Sequence, residues 1–229
     1  MITKKSNTGI DLYLKRIFAL MFGAVGLTAI AAYFTMATPL FYFLMTHQSI
    51  FYVLMFGGLA LSIWAQVRAF HMQPAKAAVF LALYAVLMGI VLTPLLWSAI
   101  TQNPLTILFA FVLAAIMFAC MALFGYKTVK DLSFMGIFLF MGMIGLILVG
   151  LASFIWPALV GGTFGAIVCL IGVLIFALFT AYDMQNLKNA YAQISDETQK
   201  NQMAVLGALH LYISFIAMFQ YLLSLFNRD

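Results

Sequence analysis

Residues 158–185 read ALVGGTFGAIVCLIGVLIFALFTAYDMQ, a stretch with no charged side chain before Asp183. The run 158–182 has the length of a bilayer-crossing helix, which needs roughly 20 predominantly apolar residues. A single carboxylate closes it. A charged side chain in hydrocarbon costs about 3 kcal/mol on insertion scales, so it is kept where it has a partner, a cavity or a task.

Outward from this stretch the composition has the same character. With 66% hydrophobic and 7% charged residues over 229 positions, there are too few polar side chains to cover a water-soluble globule. The chain therefore reads as an integral membrane protein. Barrel strands would place a polar residue at every second position, whereas the apolar runs here are continuous, which predicts an all-α membrane fold. Seven segments are expected, at 17–37, 50–65, 77–100, 105–125, 132–156, 158–182 and 203–226, forming one seven-helix transmembrane bundle over residues 1–229. Pro39, Pro74, Pro104 and Pro157 fall near segment ends, where a missing amide donor costs least. Pro94 lies inside the third segment and predicts a kink. The polar stretch 186–201 is expected to extend the sixth helix out of the membrane before the chain turns back. Cys120 and Cys169, both within apolar segments, read as buried thiols acting as small hydrophobes. The first apolar run is long and lacks a small-residue cleavage pattern, so it reads as a retained anchor.

Cationic residues set the expected orientation, because loops rich in Lys and Arg stay on the cytoplasmic side. Lys4, Lys5, Lys15, Arg16, Arg68, Lys76, Lys127, Lys130, Lys188 and Lys200 share one side if there are seven crossings, and Arg228 alone falls on the other. The N-terminus is thus expected inside and the C-terminus outside. The net charge of +5 is accounted for by this topology and calls for no nucleic-acid partner.

Known seven-helix chemistries can be tested against the residues. A retinal protein needs a Schiff-base lysine in its last helix, and 203–226 contains none. A serine hydrolase needs an approachable nucleophile, but Ser214 lies among Tyr212, Ile213 and Phe215. His47, His71 and His210 fall at different depths, which does not suit a zinc site. Nothing resembles a phosphate-cradling loop or a cofactor box, so neither an enzyme nor a bound cofactor is expected. What stands out are polar residues that a membrane makes expensive: Asp183, His210, Gln66, Gln220 and Arg68. His210 and Ser214 are four residues apart and share a helical face. The antiparallel link between the last two segments brings Asp183 and His210 to similar depths, where their side chains can meet.

Four stretches carry a resemblance. They are Ala181-Tyr182-Asp183-Met184-Gln185, Lys130-Asp131-Leu132-Ser133-Phe134, Gly89-Ile90-Val91-Leu92-Thr93-Pro94, and residues 209–219. Together, and over nearly the whole chain, they are similar to the Bax inhibitor-1 family, also called the transmembrane Bax inhibitor motif family, in a bacterial member. The short termini, without organelle signals, fit a bacterial inner membrane. The resemblance implies a seven-helix fold with a central seventh helix. It also implies a calcium leak gated by protons, through two facing aspartates that share a proton or pair with a nearby arginine. Of two carboxylates crowded in a dry site, one retains its proton towards neutral pH and becomes a sensor.

Only half of that device carries over. Asp183 matches the family's aspartate in the sixth segment, whereas the second aspartate falls on Ser214 and the asparagine three residues later is replaced by Ala217. The arginine falls near Gln66, with Arg68 two residues further on. Two readings follow. In one, a pH-responsive calcium leak persists and His210 takes over titration, latching to Asp183 when protonated and releasing it when the proton leaves. Asp183 would bind calcium weakly, aided by neutral oxygens such as that of Ser214. In the other, the leak is lost and the protein acts in membrane stress by binding and restraining an AAA-type membrane protease. Plainer roles stand beside these: His210 as a packed histidine bonded to a carbonyl or to Tyr84, Ser214 as a helix-packing residue, Arg68 as a headgroup anchor, and Asp131 as the cap of the fifth helix.

Overall fold

Backbone amides and carbonyls in hydrocarbon must satisfy one another, and the apolar runs do so as helices. The computed structural model describes the backbone of residues 2–68, 73–156, 159, 161–194 and 196–228, and within these the side chains of residues 9–62 and from 73 onward. Among the described residues there are eight helices and no strand. They are α1 (Ile2–Ala37), α2 (Leu40–Thr46), α3 (Gln48–Arg68), α4 (Pro74–Gln102), α5 (Leu105–Lys127), α6 (Ser133–Ala152), α7 (Gly162–Gln193) and α8 (Glu197–Phe226).

Several boundaries depart from the sequence expectation: α1 starts at Ile2 rather than 17 and α8 at Glu197 rather than 203. The expected loop ahead of the second segment contains α2, a seven-residue helix that starts after Pro39 and packs on Phe41 and Leu44. It meets α3 at a bend of 99°. The fifth segment ends early, at Ala152, followed by a turn through Ser153 to Ile155. The sixth begins late, at Gly162, whose φ of 52° suits a residue without Cβ. It then continues past Asp183 to Gln193, so the polar stretch extends the helix as expected. Pro94 lies within a helix assigned without interruption from Pro74 to Gln102, where the Thr93 hydroxyl donates to the Gly89 carbonyl at 2.9 Å. Cys120 faces outward, against expectation, while Cys169 is buried.

Six helices are long and apolar enough to cross a membrane, and the bent pair α2–α3 makes a seventh if counted as one span. Their burial is unequal. In α8 72% of the apolar window is buried, against 6% in α6 and at most 39% in the others. Many of the exposed residues are large and apolar, among them Phe134, Ile137, Phe138 and Met141 on α6. Such a surface would drive aggregation in water, and hydrocarbon is the solvent that suits it.

The chain forms two compact units, one of residues 1–97 with 187–212 and the other of residues 98–186 with 213–229. In the first unit, Gly89 of α4 lies against α1 so closely that a Cβ there would sit 2.5 Å from the Thr28 carbonyl oxygen. In the second, a Cβ on Gly125 of α5 would drive into the backbone of Ala181 on α7. Without a hydrophobic force between helices in lipid, small residues that let backbones touch are a main source of helix association.

Candidate functional site

The placement of Asp183 follows from which residues of α7 touch what. Within the second unit, Phe176 stacks on Tyr221 of α8 with ring centroids 6.0 Å apart. A Cβ on Gly172 would lie 2.7 Å from the same ring. Stepping from Gly172 to Phe176, Thr180 and Asp183 by four, four and three residues stays on one helical face, so Asp183 belongs to the face that α7 turns towards α8. The opposite face is fastened elsewhere. Ala181 abuts Gly125, and a Cβ on Gly136 of α6 would lie 2.7 Å from the Tyr182 hydroxyl.

Gln185 completes that anchoring. Its Oε1 accepts from the Leu132 amide at 2.8 Å and its Nε2 donates to the Lys130 carbonyl at 2.8 Å. This buried side chain thereby satisfies two main-chain groups of the α5–α6 connection. Three neighbours of Asp183 are thus locked to α5, α6 and their link. Asp183 as a whole residue is half-buried.

Ser214 lies on the matching face of α8. It is seven residues before Tyr221, two helical turns on the same side, as Asp183 is seven after Phe176. Because the two helices run antiparallel, Ser214 comes to the level of Asp183 in this unit, and it is buried. Gln220, outside this register, is half-buried. No group of three or more His, Cys, Asp or Glu gathers among the described residues. A cation at Asp183 would have one carboxylate, with its remaining ligands drawn from the Ser214 hydroxyl, main-chain carbonyls or water.

His210 belongs to the other unit, half-buried and one turn before Ser214 along α8. Its surroundings on α8 are held by hydroxyl bonds. Thr28 of α1 has a single proton, directed at the carbonyl of Ala24 or Ala85 at 2.9 and 3.0 Å, so the Tyr212 hydroxyl donates to Thr28 across 2.6 Å. Tyr84 meets Tyr212 edge to face at 6.0 Å, and its own hydroxyl bonds the side chain of Ser62. Gly207, one turn before His210, packs against Leu187.

Of the predicted site residues, Asp183 and Ser214 lie in one unit on facing helices and His210 lies in the other. The side chains of Gln66 and Arg68 fall outside the described residues, although both belong to α3, and His71 falls outside them altogether. Sequence reasoning missed Thr28, Tyr212, Gly125 and the role of Gln185. The available signals were the small residues within apolar runs and an amide two positions beyond the carboxylate. The N-cap of α6 is Leu132 rather than Asp131 as expected; Asp131, one residue before it, accepts from the Ser133 amide at 2.9 Å. Hydrogen bonds from the Ser133 side chain and then its amide keep this exposed carboxyl below the ordinary carboxylate range. An open groove of about 400 Å³ lined by Thr106, Phe109, Val112, Leu113, Ile116 and Phe226 is almost wholly apolar, with the character of a lipid-facing furrow.

Helices of membrane-crossing length, an outward apolar surface and one carboxylate set into a helix pair define a multi-pass helical membrane protein. The family described as inhibitor of apoptosis-promoting Bax1 matches residues 11–229, and the chain belongs to it. It is 33% identical over 225 residues to inner membrane protein YbhL of Escherichia coli, covering 97% of this chain and 94% of that protein. An uncharacterized protein of Deinococcus radiodurans is 32% identical over 232 residues, covering 100% and 96%. An uncharacterized membrane protein of Streptococcus pyogenes is 30% identical over 232 residues, covering 100% and 98%.

Proposed function

We propose that this protein is a pH-responsive cation leak of a bacterial inner membrane, with calcium as its cargo. The observation that carries the reading is Asp183: a carboxylate on the α8-facing side of α7, level with the buried Ser214 hydroxyl. A hard cation favours oxygen ligands, and one carboxylate with neutral oxygens suits weak binding, which a leak needs if the ion is to depart again. His210, one turn from Ser214, supplies an imidazole, the side chain whose ordinary titration lies nearest neutral pH. The name of the Escherichia coli relative supports the inner membrane.

Calcium flux into liposomes holding the purified full chain, followed at several pH values, tests this. Asp183→Asn should lower flux, since it removes the carboxylate charge offered to the ion. His210→Ala should flatten the pH response, and Ser214→Asp, which restores a carboxylate pair, should move it. Absence of flux in every variant at every pH would end the leak reading. A pH response intact in His210→Ala would remove His210 from it.

The serine in place of a second carboxylate favours one further reading, in which the protein does not conduct and instead binds and restrains an AAA-type membrane protease. Crosslinking in native membranes would then recover a subunit of that protease, and a failure to enrich one would count against it.

A further inference from the structure

The connection between α5 and α6 has a character that the leak reading does not use. Lys127 and Lys130 are both exposed on either side of Val129, which is 97% exposed, and Phe134 in the first turn of α6 is 84% exposed. Two cations flanking two bare apolar side chains, at the point where one candidate span ends and the next begins, form an interfacial pattern: the apolar groups enter the acyl boundary and the ammonium groups remain among the headgroups. The connection is not a slack loop. Thr128 Oγ1 accepts from the Lys130 amide at 3.4 Å, Asp131 accepts from Ser133, and Gln185 binds Lys130 and Leu132 through their main chain. Gln185 in turn is on α7 two residues from Asp183.

We propose that the 127–134 connection is a docking surface for anionic lipid headgroups, and that Gln185 transmits their engagement to the part of α7 that carries Asp183. Charge complementarity selects this occupant: Lys127 and Lys130 outweigh the single carboxylate of Asp131 among the residues that face outward. A basic residue at an acidic membrane surface contributes about fivefold in binding, and salt screens the effect. The transmission rests on the leak reading, whereas the docking surface does not.

Lipid retention and flux test the two halves separately. The purified full chain is reconstituted in phosphatidylcholine alone or in an equal mixture with phosphatidylglycerol, and the lipids that remain bound are counted by native mass spectrometry. Wild type should retain phosphatidylglycerol in preference to phosphatidylcholine. The double change Lys127→Gln, Lys130→Gln should reduce that preference by about 25-fold if the two lysines act independently. Asp131→Asn should strengthen it, an effect that a purely structural role for the connection does not produce. No preference in wild type, or an unchanged preference in the double variant, overturns the docking surface. So does a preference unaffected by charge but lost in Val129→Ser, which would point to an apolar protein partner. For the second half, calcium flux should differ between the two lipid mixtures in wild type. It should not differ in Gln185→Glu, which still accepts from Leu132 but cannot donate to Lys130, when this variant is measured at a phosphatidylglycerol fraction where its count of bound phosphatidylglycerol equals that of wild type, since the added carboxylate should itself lower retention. A lipid response of flux that persists in Gln185→Glu overturns the transmission. Absence of flux throughout ends both the leak reading and the transmission, while retention still decides the docking surface.

Discussion

At the scale of single residues, packing is set by groups that have no room to change. Gly125 faces the Ala181 backbone, whereas Gly23 has nothing within 4 Å of where its Cβ would be. Gly125→Ala should therefore destabilise the protein by about 1–3 kcal/mol, since backbone rather than a mobile side chain must give way. Gly23→Ala should stay within about 0.5 kcal/mol of wild type. Unfolding in detergent micelles checks both, and equal midpoints would show that the α5–α7 crossing is not tight. Tyr212 offers a second comparison, because Tyr212→Phe leaves the ring packing and removes only the proton given to Thr28. Interhelical hydrogen bonds in membranes average about 0.6 kcal/mol, so a loss near that size is expected by the same assay. A loss several times larger would mean that Thr28 is left poorly satisfied between its two carbonyls. Asp183 was legible in the sequence because a charge ending an apolar run is costly wherever it lies. Gln185, Thr28 and Gly125 were not, because their roles depend on what faces them from distant segments.

At the scale of elements, the long runs were read correctly and the breaks between them less well. Hydropathy reports where a helix can be buried in lipid, but its ends are set by local chemistry. Thus α2 forms within the expected loop and α6 stops at Ala152 rather than 156, whereas the run of α7 through the polar residues after Tyr182 is as expected. The start of α6 was readable, because Asp131 two residues ahead of Ser133 is a local signal. Its pH dependence has a definite sign. Hydrogen bonds to the ionised form lower the Asp131 carboxyl in the folded protein. This support is therefore present above the unfolded value of about 3.9 and disappears as pH falls through the lower folded one. Hydrogen exchange at the Ser133 amide, corrected for intrinsic rates, should show protection that declines in that acid range. Asp131→Asn, whose amide oxygen still accepts but does not titrate there, should show no such step. A step of the same size in both would assign it to another group.

For the whole molecule, the open structural choice is whether α2 and α3 cross the membrane or turn back within it. The bend of 99° between them suits either arrangement. Helix length favours crossing, since the 21 residues of α3 alone extend about 31 Å, close to the hydrocarbon thickness. Charge favours it more strongly. With seven crossings, the ten Lys and Arg from Lys4 to Lys200 lie on one side and Arg228 on the other. With six, the four before Lys76 and Arg68 in the N-terminal arm would join Arg228, leaving Arg68, Lys76, Lys127, Lys130, Lys188 and Lys200 opposite, a division of five against six. An even division removes the bias by which loops are retained in the cytoplasm, so insertion energetics predicts seven crossings. It predicts termini on opposite faces of the membrane. Reporters fused at each end, one active only in the cytoplasm and one only outside it, should give an inward N-terminus and an outward C-terminus. Two inward readings would make α2–α3 a re-entrant pair, and the side from which Asp183 is reached would reverse relative to the N-terminus.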